Sequence, residues 1–145
     1  MKWITSSHVH IDRVACPWLI KRFVDSEAEF LFVARSQVEA VAKATGATPF
    51  DYPGVTLGHR EGRCSFESIV LEYGFQDPAL HRLAKIVHAA DVTEDAATDP
   101  IAAGLEAIAA GYSLRYPDDH ENIALQFELY DSLYAWCRLK VAAGR

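Results

Sequence analysis

The dipeptide Asp-Pro occurs twice, at Asp77–Pro78 and Asp99–Pro100, and each time it opens a run of helix-forming residues. Proline presets the backbone angle of a first helical turn and lacks the N–H that would be orphaned there. The carboxylate before it accepts one of the remaining free N–H groups. After the first pair, Leu80, Leu83, Ala84 and Val87 recur at helical spacing. A last helix over residues 118–140 places Ile123, Phe127, Tyr130, Tyr134 and Cys137 at steps of three and four. The second half is thus committed to helices, so any sheet must come from the first half.

That half contains the strand-like "WITSSHVHI" (3–11) and "EFLFVA" (29–34). Asp12 is placed to cap a helix over residues 13–24, with Pro17 near its first turns, and Ser36 to cap a helix ended by Gly46. "TPFDYPGVTLGH" (48–59) holds two Pro and two Gly and reads as strand and turn, delivering His59 from a loop. A further helix starts at Ser65 and breaks at Gly74 and Pro78. The expected fold is α+β and predominantly helical, about five helices packed with a small sheet from the N-terminal half. Length suits a single domain spanning residues 1–145.

Composition narrows the function classes. A net charge of −6 argues against sequence-independent nucleic-acid binding and against an anionic membrane surface. No apolar stretch is long enough for a membrane span, and the N-terminus has no secretory apolar core. Cys16, Cys64 and Cys137 are scattered and odd in number, which fits reduced thiols in a cytoplasm better than disulfides. Homo-oligomerisation is compatible with the sequence. No glycine-rich phosphate loop or GxSxG elbow is present.

The chemistry concentrates in "GHREGRCSFE" (58–67) and "IVHAAD" (86–91). His88 and Asp91 stand three apart and project from one helix face, continuing an inward apolar stripe. Glu67 occupies an inward position on its own helix, and His59 lies on the loop before it. Imidazoles and carboxylates in such a set suit a divalent transition metal such as Zn, Mn, Fe or Ni, so His59, Glu67, His88 and Asp91 are candidate ligands. The bland alternative makes His88 a satisfied core histidine and has Asp91 cap the helix end or pair with Arg82 or Arg63. Arg13, Arg60 and Arg63 are candidates for an oxyanion pocket, against solvated charges. Cys64, beside Arg63 at a helix start, is expected to have a depressed pKa, and Cys64 and Glu67 are the catalytic candidates. His8 and His10 form an HxH that would face one side of a strand. The acidic run Asp118, Asp119, Glu121 suits a helix start, and His120 lies within it.

"HIDRVACPWLIKRFVDSEAEFLFV", "GATPFDYPGV", "GHREGRCSFESIVLEYG", "DPALHRLAKIVHAAD" and "DDHE…LYDSLYAWCR" resemble, in unbroken order, the C-terminal domain of the chromate-resistance protein ChrB. The resemblance implies a link to chromate or related metal stress, in a stand-alone version of that domain. Its pattern falls on Asp12, Arg13, Cys16, Pro17, Trp18, His59, Arg60, Cys64, Glu67, His88, Asp91 and His120, while "SSHVH" lies outside it. The expectation is a metal-binding domain of the chromate response. His59, Glu67, His88 and Asp91 would hold the ion, Asp12 and His120 would stand behind them, and an anion such as chromate would lie beside Arg13, Arg60 and Arg63. An open coordination position would permit oxidoreductase or hydrolase chemistry. The alternative is a non-catalytic oxyanion sensor or regulatory partner-binding module.

Overall fold

The computed structural model of the protein describes residues 1–144. Its sheet is built around the first strand. β1 (Lys2–Ser6) lies between β2 (Glu29–Val33) and β3 (Thr48–Pro49) and runs parallel to both. Alternation along β1 divides the interior in two. Trp3 joins the main core with Phe30 and Phe50, while Ile4 points the other way onto Val38 and Ala47. The smaller cluster is closed by α2 (Val38–Thr45), which ends at Gly46 in the left-handed conformation that glycine adopts without strain.

The main core lies under α1 (Asp12–Leu19), α3 (Ser65–Glu72), α4 (Pro78–Asp91) and α6 (Asp119–Ala142), with α5 (Ala102–Arg115) packed against α4. Trp18, Phe66, Leu80, Leu83 and Tyr130 are fully buried there. Each such side chain contributes roughly 1.5–3 kcal/mol by leaving water. Trp18 can be buried only because its indole N–H donates to Asp131 at 2.7 Å. The first Asp-Pro signal holds, with Asp77 capping α4 and accepting from the Ala79 N–H; at the second, Asp99 accepts from the Ile101 N–H, but α5 begins only at Ala102, past Pro100. Among the described residues the helical architecture expected from sequence is present, with six α-helices rather than about five.

Three local expectations fail, each for a visible reason. β1 ends at Ser6, so the HxH is not on a strand. His8 takes a positive φ of 64°, and the N–H groups of His8 and Val9 donate to the Asp119 carboxylate at 3.0 and 2.9 Å rather than to a neighbouring strand. Asp12 is the first residue inside α1 rather than its cap. Ser36 lies in a tight turn, Arg35–Gln37, and caps nothing.

Candidate metal centre

The start of α3 organises the centre. A helix leaves its first N–H groups without partners, and here each finds one. Cys64 N–H donates to Glu67 Oε1 at 2.9 Å, while the Cys64 side chain caps the Glu67 N–H in return. Ser65 and Phe66 N–H donate to Oδ2 and Oδ1 of Asp12 at 2.8 and 3.1 Å. Asp12 therefore opens one helix and caps another. Its carboxylate is buried, and burial raises its pKa despite the hydrogen bond from His59.

His59 reaches this carboxylate from the loop before α3. The loop is pinned by Ser68, whose hydroxyl donates to the Gly58 carbonyl at 2.7 Å. Gly58 sits where a Cβ would come within 2.7 Å of the Tyr52 carbonyl oxygen. His59 Nε2 lies 3.0 Å from Asp91 Oδ2, 3.2 Å from Asp12 Oδ2 and 3.4 Å from Asp51 Oδ1. These carboxylates come from α4, α1 and the segment after β3. Hydrogen bonding to Asp12, and then to Asp51, pushes the His59 pKa up to about 10. Burial, then repulsion from Asp12 and Asp51, pushes Asp91 up to about 7. At Asp51 burial acts upward, but hydrogen bonds from His59 and Ser65 and the charge of Arg13 prevail, and its pKa lies low. Asp12, His59 and Asp91 each offer a donor atom, all within 4.8 Å of one another.

A second group forms at the start of α3 itself. Cys64, Glu67 and His88 also present donor atoms within 4.8 Å of one another. His88 Nδ1 lies 2.6 Å from Glu67 Oε1, and Nε2 lies 2.6 Å from Asp95 Oδ2. Burial works against the charged imidazole, yet Asp95 and Glu67 outweigh it and raise the His88 pKa. The four ligands expected to share one ion thus divide into two triads: His59 and Asp91 join Asp12, while Glu67 and His88 join Cys64. Position i, i+3 puts His88 and Asp91 on nearby helix faces, but each meets a different set of partners. Asp12 moves from a supporting role into the donor set.

The remaining candidates scatter. Arg13 lies beside the first triad, 3.3 Å from Asp51, and helps line a cleft of about 470 Å³ with Arg35, Tyr52, His59 and Asp91. Arg60 is exposed on a turn bridged to Arg63, and Arg63 pairs with Glu61 at 3.0 Å, so the three arginines form no common pocket. Arg35, which sequence reasoning passed over, lines the cleft with Arg13, and its guanidinium lies over the Tyr52 ring at 6.0 Å. His120 stacks edge-on against Phe32 and is in neither triad. Cys64 is buried, and burial followed by the charge of Asp12 drives its pKa up, the reverse of the expected reactive thiolate. Asp51 and Asp95 were also missed. Asp51 follows an apolar pair in a Pro/Gly-rich turn, a place where a carboxylate is usually read as turn chemistry.

Comparison with known proteins adds the family. A model described as "ChrB, C-terminal domain" matches residues 3–137. Protein ChrB of Cupriavidus metallidurans is 37% identical over 135 residues, covering 92% of this chain and 40% of that relative. The chain therefore spans well under half the length of this curated relative. No solved structure matches.

Proposed function

Because the chain belongs to the family of ChrB C-terminal domains, we propose that it serves chromate or metal-stress resistance as a metal-binding domain. Its ion would be held by Asp12, His59 and Asp91, with Asp51 beside them. The observation that carries this reading is the position of His59 Nε2, within 3.4 Å of carboxylates from three separate elements. One imidazole N–H satisfies one acceptor well, whereas a cation satisfies several at once. Charge agrees. With His59 neutral, three carboxylates against Arg13 and a divalent ion sum to zero. The Tyr130 hydroxyl supports the fit: it is buried without a hydrogen-bond partner among the described residues, and burial, then the charges of Asp12, Cys16 and Asp91, raises its pKa. A hydroxyl so placed suits a site whose polar contents extend beyond the side chains.

Arg13 and Arg35 line the cleft beside this site and suit a tetrahedral oxyanion such as chromate, approaching the ion from the solvent side. Zn, Mn, Fe and Ni all suit this donor set. An open coordination position would give redox or hydrolytic chemistry at the cleft.

Elemental analysis of untagged protein purified without chelator tests the reading. About one equivalent of transition metal that the native protein holds and that Asp91→Asn and His59→Ala each lose is the expected result, and a difference of less than about a tenth of an equivalent overturns it. A non-catalytic oxyanion sensor is favoured by one observation, the His59 pKa of about 10, which makes the metal-free imidazole a cation beside Arg13. Chromate binding that survives chelation but fails in Arg13→Gln selects that second reading.

A further inference from the structure

We propose a second cation site, chemically distinct from the first, in which Cys64 Sγ, Glu67 and Nδ1 of His88 hold a zinc-like ion between α3 and α4. It shares no residue with the Asp12–His59–Asp91 set and stands or falls separately.

The three donors differ in kind, come from the α3 cap, the first turn of α3 and the last turn of α4, and already lie within 4.8 Å of one another. A tetrahedral zinc with ordinary bond lengths separates a nitrogen from an oxygen ligand by about 3.4 Å. His88 Nδ1 and Glu67 Oε1, now 2.6 Å apart, need to part by less than an ångström. The imidazole is already oriented for the task. Its other nitrogen is held by Asp95 at 2.6 Å, and a metal-bound histidine usually donates its remote N–H to such a carboxylate. Asp95 belongs to the turn Thr93–Thr98 that follows α4, so this turn fixes the ring from outside.

The donor set also selects its ion. A thiolate, an imidazole and one carboxylate suit zinc or cobalt and disfavour magnesium or calcium, which take oxygen. A divalent ion replaces the thiol proton and the proton shared between Glu67 and His88, and the thiolate and carboxylate then balance its charge. Glu67 and Arg63 also line a cleft of about 290 Å³, which brings solvent to the carboxylate.

Cobalt(II) titration of chelator-stripped, untagged protein under reducing conditions tests the site, because only a sulfur ligand gives an intense thiolate-to-cobalt band in the near ultraviolet. The band should form in the native protein, in Asp91→Asn and in Cys16→Ala, and vanish in Cys64→Ser. Serine is a good helix cap, so this variant keeps the start of α3. Asp95→Asn should retain the band but bind cobalt roughly 10–100-fold more weakly, since it loses only the orienting carboxylate. No band in the native protein, or a band that persists in Cys64→Ser, overturns the proposal. Either result leaves the first site to be judged by the sulfur-free cobalt absorption that Asp91→Asn removes.

Discussion

Replacing Asp12 with alanine should damage the fold before it damages any chemistry. The carboxylate accepts the Ser65 and Phe66 N–H groups at 2.8 and 3.1 Å, both in buried surroundings. A buried donor stripped of its acceptor costs about 1–3 kcal/mol, so two amount to roughly 2–6 kcal/mol. Two effects run the other way. Burial of the carboxylate disfavours its charge, and Asp51 repels it, as the raised pKa records. Removing the charge returns part of that cost, leaving a net loss of about 2–4 kcal/mol. In urea, with a slope of about 1.5 kcal/mol/M for a domain of this size, the midpoint of chelator-treated protein should fall by roughly 1.3–2.7 M. Asp12→Asn should lose about half as much, since its amide oxygen still accepts one N–H while its NH₂ opposes the other. Amide exchange should accelerate first at Ser65 and Phe66. A loss below about 1 kcal/mol in the alanine variant would refute the view that Asp12 secures α3.

The neighbouring residues separate by the same logic. Asp91→Asn removes a charge that burial disfavours and Asp12 and Asp51 repel, so at pH 8 the chelator-treated variant should be more stable than the parent by on the order of 1 kcal/mol, although it loses the ion of the first site. Thermal melts with and without added zinc check both halves. The metal-free parent should weaken steadily as pH rises. Asp91 holds its proton up to about 7 against 3.8 unfolded, and His59 up to about 10 against 6.5, so between those limits the native state binds more protons than the unfolded one. The stabilisation from Asp91 is complete below pH 4 and gone above 7; that from His59 is complete below 6.5 and gone above 10. Asp51, held low beside His59, Ser65 and Arg13, adds the opposite trend only at acid pH, and melting temperatures from pH 5 to 9 that rise instead would contradict the assignment. Gly58→Ala brings a Cβ within 2.7 Å of a backbone oxygen and must displace the loop carrying His59. Its expected cost is about 1–3 kcal/mol with at least tenfold weaker metal binding, measured by urea melts and chelator competition.

Much of the fold was legible in the sequence because its signals are local. The Asp-Pro pairs, Gly46 and the apolar stripe of α4 each carry their reason within one turn of chain. The polar clustering was legible too, since His59, Glu67, His88 and Asp91 each lie in a group of side chains that could hold a metal ion. Their division was not, because it depends on which distant partner each meets, and Asp12 lies 53 residues from the N–H it caps. The Cys64 error has the same root. Sequence placed the thiol beside Arg63, but folding buries it near Asp12 and Glu67, so desolvation and negative charge decide its proton. Asp51 and Asp95 resemble ordinary turn residues until the third dimension supplies their neighbours.

The arrangement of the sheet carries a consequence for how the domain assembles. The middle strand is made first, and its second flank is paired only once Thr48 and Pro49 have emerged. Until then Ile4 is covered by Val38 but not by Ala47, and the smaller cluster stays open on that flank. Segments that supply this cover should therefore set the pace of folding, and lengthening the connection between β2 and β3 should slow maturation more than it weakens the finished protein.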